Sequence, residues 1–510
     1  MPDPNPRATV REWIGLAVLA LPTLVVSMDM TILYLAVPVI SAELHPSGSE
    51  LLWMSDIYSF VLAAVLIPMG ALGDRVGRRR LLLTGAVAFA AASTLAGFST
   101  SAGQLIAARA LLGVAGATLL PSTLAMIRTM FPSDRERTLA IGLWATCFTL
   151  GGVLGPLVAG SLLTHFHWGS VFLAAIPPMF ALLAVGRRLL PEVMDPSVGR
   201  VDVTSALQLT TAVLAATYGI KHAAEHGSGW LPAFFLMAAW AVGDRFLRRQ
   251  STLSNPLIDL SLFRNPAFAI GVGANASALF AWVGASLLVA QHLQLVSSLP
   301  PMSAALWTLP GAAACIAGCL AAPGLASRWW GGRIVTLGLL LAAAGLALLA
   351  TAGTGVGPVS VVPATMVMGF GVSLVVTLST DIILTQAPPA KAGSASSLSE
   401  TAADLGGAFG IAVLGSIALA IYRATLELPS SLSAGQRQSA LDTLAGAVQS
   451  ADALGSAVAG PFLESARGAF VHGVALAAGL ASLLLLTMAV LSWRSIGRRR
   501  IRCEGGVLHD

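Results

Sequence analysis

The stretch Val25-Val26-Ser27-Met28-Asp29-Met30-Thr31-Ile32-Leu33 puts one carboxylate near the middle of an apolar segment running from about Trp13 to Pro38. As a helix across a bilayer, rising about 1.5 Å per residue, that segment carries Asp29 about 22 Å along from Ile14. A charge at that depth costs a few kcal/mol on insertion scales, so it is retained where it faces a protein interior or a watery cavity. There it binds a cation, or exchanges its own charge for a proton. The rest of the chain is expected to open that cavity first to one side of a membrane and then to the other.

Composition agrees with a bilayer setting. The 510 residues are 56% hydrophobic and 10% charged, with mean hydropathy +0.80, and long apolar runs recur to the C-terminus. The chain therefore reads as a polytopic all-α membrane protein, not a soluble one with an anchor. The first run follows Arg7 and Arg11. It is too long for a signal peptide and lacks a small-residue cleavage site, so it is expected to be retained. Cys147, Cys315, Cys319 and Cys503 form neither a disulfide framework nor a metal-ligand spacing, so no metal site is expected. A net charge of +5 gives no sign of nucleic acid. No GxxxxGK[ST] loop is present to hydrolyse ATP, so no cofactor is expected and energy must come from an ion gradient.

Apolar length marks fourteen spans, at roughly 13–38, 51–72, 81–100, 104–128, 138–163, 169–190, 203–222, 230–247, 267–295, 303–325, 333–352, 358–386, 396–424 and 469–493. With the N-terminus in the cytoplasm, about 24 of the 29 Lys and Arg face inside, as the positive-inside rule requires. The exceptions are Lys221, Arg423, Arg437 and Arg467 outside, and Arg109 within a span. Both termini are then cytoplasmic. The inside loops Gly70–Arg80 and Gly324–Arg333 share an order of Gly, small residues, Arg, Gly and Arg. That weak repeat makes spans 1–6 and 9–14 equivalent six-helix halves, with spans 7 and 8 inserted between them. The expected division is 1–190, 191–254 and 255–510, with an outside loop at about 425–468.

Several stretches resemble the major facilitator superfamily, and within it the fourteen-helix drug:proton antiporters of the QacA type. Gly70-x-Leu72-x-Asp74-Arg75-x-Gly77-Arg78-Arg79 is similar to the superfamily's loop signature, and Leu105-x-x-x-Arg109-x-x-x-Gly113 to its fourth-helix signature. Gly151-x-x-x-Gly155-Pro156-x-x-x-Gly160 is similar to the fifth-helix signature of antiporters. Asp29-x-Thr31 with Ala36-x-Pro38 resembles the first-helix signature, and Trp53-x-x-Asp56-x-Tyr58 also fits. The resemblance implies a major facilitator fold and proton-coupled export of lipophilic, amphipathic or quaternary-ammonium cations from the cell membrane, by a protein functional as a monomer.

Each constellation also has a bland reading. In the loop after the second span, Asp74 is expected to pair with Arg75 or with an Arg across the half-interface, or to cap helix ends through the dipole, forming a cytoplasmic gate with Gly70, Arg75, Gly77 and Arg78. Charge that only sets topology would need Arg but not Asp or the glycines. Arg109 cannot face lipid cheaply. The resemblance implies a role near the proton path, against a structural bond to a backbone carbonyl or a first-helix group. Gly151, Gly155 and Gly160, with Pro156, allow a close, bent contact that could seal the two halves. Glu400 and Asp404, at i and i+4, share one helix face and are expected to titrate as a coupled pair. Asp381 reads as a further deep acid. With Asp29 and Arg109 these form the expected proton-coupling and cation-binding set; a protonated acid making a packing hydrogen bond is the bland alternative. Aromatic faces attract cations, and the expected substrate cavity draws on Thr31, Tyr34, Asp56, Tyr58, Trp144 and Phe148. Two other functions are open to the same chain: export of an endogenous metabolite or self-made antibiotic, and a transport-inactive membrane sensor.

Overall fold

The computed structural model describes residues 8–44, 46, 48–192, 194, 202–226, 229–253, 256–258, 260–353, 358–388, 392–452, 454 and 456–497. Among them there is no strand. A segment in lipid has no water to satisfy its backbone, so apolar runs of this length close their hydrogen bonds within helices.

Six spans come first: α1 (Val10–Leu44), α2 (Gly48–Val76), α3 (Arg78–Gly97), α4 (Ala102–Met130), α5 (Asp134–Leu163), and a sixth divided into α6 (Ser170–Leu173) and α7 (Ile176–Leu189). Pro177 and Pro178 lie in the first turn of α7, where their missing amides leave no bond unmade. A hairpin follows, α8 (Val203–His226) and α9 (Trp230–Gln250). The second group is α10 (Pro266–Gln291), α11 (Pro301–Arg328), α12 (Gly331–Ala350), α13 (Val361–Gln386), α14 (Ala392–Thr425) and, after the short α15 (Ala434–Asp442) and α16 (Leu444–Asp452), α17 (Ser456–Ser492).

The two groups repeat one pattern of neighbours. First packs on fifth (α1–α5, α10–α14), second on fourth (α2–α4, α11–α13), third on fourth (α3–α4, α12–α13), and sixth on first and third (α7–α1 and α7–α3, α17–α10 and α17–α12). The groups meet through the second helix of each against the fifth of the other, α2–α14 and α5–α11. Helix α8 covers the first of these seams. The Thr210 hydroxyl donates to the Ala64 carbonyl at 3.1 Å, and Val213 packs with Ala63, Ala64 and Leu405.

Thirteen helices among the described residues are long and apolar enough to cross a membrane. The eighth expected span, α9, has 21 residues but falls short of that apolarity, with Asp244, Arg245, Arg248 and Arg249 near its end. Those charges tie it down. Arg249 Nε and Nη2 donate to Asp202 at 2.6 and 3.2 Å, and Ser205 donates to the same carboxylate at 2.6 Å. Arg249 first, then Ser205, hold the Asp202 carboxyl at about 2. This tether is therefore present at neutral pH and is lost only as the pH falls towards that value.

The expected loop at about 425–468 is largely helical among the described residues. Helix α17 begins at Ser456, and the segment between it and α14 is the α15–α16 helical pair. The Tyr422 hydroxyl fastens that pair to α14 by donating to the Ala440 carbonyl at 2.8 Å.

Candidate functional site

Asp29 lies within α1 and is 3% exposed; Arg109 lies within α4 and is 1% exposed. Arg109 Nη1 donates to Asp29 Oδ2 at 2.6 Å, and Nε donates to the Met54 carbonyl of α2 at 3.3 Å. The guanidinium stands 4.8 Å from the centroid of the Tyr58 ring. Tyr58 in turn donates to the Val26 carbonyl at 3.3 Å. Gly113 makes this possible: a Cβ there would sit 2.6 Å from the Tyr58 carbonyl oxygen, so only glycine lets α4 come this close to α2. One buried ion pair thus knits α1, α2 and α4. Arg109 thus bonds a first-helix group and a backbone carbonyl, the two partners that its structural reading names.

The glycines of α5 seat it on α1. Gly151 abuts the Leu24 carbonyl, and a Cβ on Gly155 would lie 2.8 Å from the Met28 carbonyl oxygen. The Thr31 hydroxyl crosses the same contact to the Gly152 carbonyl, 3.0 Å away. Gly160 and Pro156 are half-buried further along α5. The expected seal between halves is corrected here: this contact is internal to the first group, because α1 and α5 are both its members. Its repeat went unread in the sequence. Leu150-Gly151-Gly152-x-x-Gly155-x-x-x-x-Gly160 recurs as Leu405-Gly406-Gly407-x-x-Gly410-x-x-x-x-Gly415 in α14. There Gly406 and Gly410 abut the Ala276 and Phe280 carbonyls of α10, as Gly151 and Gly155 abut α1.

Glu400 and Asp404 precede that second glycine run. Both are half-buried, and neither forms a hydrogen bond or ion pair among the described residues. They lie one turn apart on α14, which packs against α2, the helix that carries Tyr58. The sequence placed these acids on one face; the packing of α14 on α2 appears only in three dimensions.

Asp381 is a correction. It is not a deep acid: it lies five residues before the end of α13, bonded across the seam to α5. Arg137 Nε donates to Oδ1 at 2.8 Å and the Thr138 hydroxyl to Oδ2 at 2.9 Å. Beside it, Arg128 of α4 donates to the Ala387 carbonyl at 2.7 Å, closing the C-terminal end of α13. The Ser396 hydroxyl of α14 donates to the Pro121 carbonyl of α4 at 3.2 Å. All four bonds join the two groups in the part of the bundle near its arginine-rich end.

The Gly70–Arg80 loop also departs from expectation. Asp74 pairs with Arg78, one turn on and in the same group, a partner that the expectation did not name. Arg75 is exposed and Gly70 buried. Gly77 takes φ +110°, a conformation that favours glycine, and Glu192 closes over it, accepting from the Arg79 amide at 3.1 Å. Glu192, which the sequence reading passed over, sits 3.4 Å from Arg79 Nε and 3.8 Å from Arg80 Nε.

The expected cavity residues divide. Tyr58 is fully buried beneath Arg109, so it lines the ion-pair nest and not open space. Trp144 is 4% exposed and donates to the Thr123 hydroxyl at 3.0 Å. Phe148, half-buried, stacks on it with ring centroids 6.0 Å apart. Thr31 is spent on the α1–α5 contact. The side chains of Tyr34 and Asp56 lie outside the described residues.

Residues 19–411 match the sequence family described as Major Facilitator Superfamily. The chain belongs to the Major Facilitator Superfamily. Membership makes it a multi-pass membrane transporter and not an enzyme. It is 41% identical to the multidrug efflux pump LfrA of Mycolicibacterium smegmatis, over 95% of this chain and 96% of that one. It is 34% identical to the methyl viologen resistance protein SmvA of Salmonella typhimurium, over 96% and 100%. It is 31% identical to the tetracenomycin C resistance and export protein of Streptomyces glaucescens, over 94% and 91%. The crystal structure of the human organic anion transporter MFSD10 (TETRAN) has the same fold, with TM-score 0.60 at 15% identity over 94% of this chain and 99% of that one. The paired six-helix groups are the form this superfamily fold takes here.

Proposed function

We propose that this chain is a proton-driven exporter of lipophilic organic cations, working by alternating access in the cell membrane as a monomer, with both termini in the cytoplasm. The observation that carries the reading is acids on both sides of one seam. Asp29 is held by Arg109 on one side, and Glu400 and Asp404 stand on the other, on the helix α14 that packs against α2. A proton taken by Asp29 removes the charge that Arg109 answers and frees the three helices it joins. Protons taken by Glu400 and Asp404 remove the attraction that holds a bound cation, which then leaves. Similarity to LfrA and SmvA supports efflux, and methyl viologen is itself an organic dication.

Ethidium efflux from cells expressing the chain tests this. Efflux is expected to stop when a protonophore is added at maintained ATP; efflux unaffected by it would end the proton-driven reading. The bonds between groups near the arginine-rich end support a state closed on that side. Asp381→Ala should weaken that closure, raising the labelling of a cysteine placed in the cavity by a thiol reagent added from the cytoplasm. Labelling equal to that of the unsubstituted lock would remove Asp381 from the gate.

A second reading, export of a self-made antibiotic or other endogenous metabolite, draws on the similarity to the tetracenomycin C resistance and export protein. Its discriminating result is absence of ethidium efflux together with intracellular build-up of a native product when the protein is deleted.

A further inference from the structure

A groove between α12 and α17, at the arginine-rich end of the second group, has no part in the transport reading. Close packing builds it. A Cβ on Gly332 would lie 2.7 Å from the Ile496 carbonyl oxygen, so glycine lets the π-helical turn Trp493–Gly497 rest on the start of α12. Below this contact the hydroxyls of Thr336 and Ser492 bond at 3.1 Å. The groove has a volume of 540 Å³. Apolar Leu337, Leu340 and Val490 line it together with Arg333, Trp493 and Arg494. The Arg333 guanidinium is held 4.5 Å from the Trp330 ring centroid and 5.9 Å from that of Trp493. Leu340, Val490, Trp329 and Trp493 all remain exposed on the outside of the bundle.

The matching place in the first group has a different charge balance. There the start of α3 meets the segment after α7, and Arg79 and Arg80 face the protein's own Glu192. At the start of α12 the segment after α17 brings Arg494 instead, and no described residue lining the groove is acidic. Tryptophan rings favour the headgroup level of a bilayer. Paired guanidinium groups suit a phosphate, and the apolar lining suits an acyl chain. We propose that this groove binds an anionic phospholipid of the arginine-side leaflet, its phosphate on Arg333 and Arg494 and a chain along Leu337, Leu340 and Val490. Charge complementarity selects the lipid: a zwitterionic headgroup brings its own cation to a site that already holds two.

Native mass spectrometry of the full-length protein, titrated separately with dioleoyl phosphatidylglycerol and dioleoyl phosphatidylcholine, tests the assignment. Phosphatidylglycerol is expected to be retained preferentially. The pair Arg333→Gln and Arg494→Gln should lower its retention by roughly tenfold or more, at the strength usual for basic residues at a membrane surface. Arg333→Lys with Arg494→Lys should keep most of it. If the glutamine pair fails to accumulate, Arg494→Gln alone, at an exposed position, gives the same reading with a smaller loss. Equal retention of the two lipids, phosphatidylglycerol retention unchanged by the glutamine substitutions, or a lysine pair as weak as the glutamine pair would each overturn the proposal.

Discussion

Arg109→Leu is expected to destabilise the protein by about 3–5 kcal/mol and to abolish efflux, because it leaves Asp29 buried with its charge-assisted bond gone. The magnitude follows from the setting. Asp29 and Arg109 are 3% and 1% exposed, so water cannot replace the lost partner. The same substitution also removes the bond that Nε makes to the Met54 carbonyl. The double variant Asp29→Asn with Arg109→Gln separates structure from coupling. It exchanges the ion pair for neutral amides of similar size, and should recover most of the melting temperature while gradient-driven efflux stays absent. Thermal unfolding of the purified protein and ethidium efflux from cells are the two readouts. Arg109→Leu with wild-type melting would mean that the pair holds nothing together. A double variant with full efflux driven by a pH gradient would mean that Asp29 carries no coupling.

The second large effect is expected at the repeated glycines. Gly155→Leu and Gly410→Leu each drive a side chain into the backbone of the first helix in their group. Beside Gly155 stand the Thr31 hydroxyl and then the Met28 carbonyl, beside Gly410 the Phe280 carbonyl, and a backbone carbonyl cannot turn aside as a side chain can. Each substitution should cost at least the roughly 1–3 kcal/mol typical of overpacking, and lower the amount of assembled protein in the membrane. Gly415 supplies the internal control. It belongs to the same run, but a Cβ there meets no atom within 4 Å, so Gly415→Ala should stay within about 0.5 kcal/mol of wild type. Equal losses at Gly410 and Gly415 would show that close packing does not govern the run, since helix propensity by itself favours Ala or Leu over Gly.

Much of the site was legible along the chain, and the reason differs residue by residue. Asp29 and Arg109 are charges inside apolar runs, which single them out without any partner being known. Glu400 and Asp404 fall on one face because four residues make about one helical turn. Asp381 reads as deep because apolar length alone does not fix where α13 ends, and the helix stops five residues beyond it. Glu192 gave no sign at all, since an acid in a short link between spans is ordinary. The α14 glycines repeat those of α5, but a run of small residues does not by itself say which helix it packs against.

By itself the sequence determined the helical membrane class, the position of nearly every span, the arginine asymmetry of the two faces and the superfamily. Each of these rests on composition within one window of chain, and the bilayer imposes it locally: an apolar run of sufficient length must become a helix, and positive residues must gather at one of its ends. Only the tertiary structure decided which groups meet. Asp29 finds Arg109 across 80 residues, Thr31 finds Gly152 across 121, and Arg137 finds Asp381 across 244. Lipid supplies no hydrophobic drive to pair one helix with another, so partners are chosen by close glycine contacts and by the need to satisfy buried charge. Those are properties of two facing surfaces, and a single helix read alone holds only one of them.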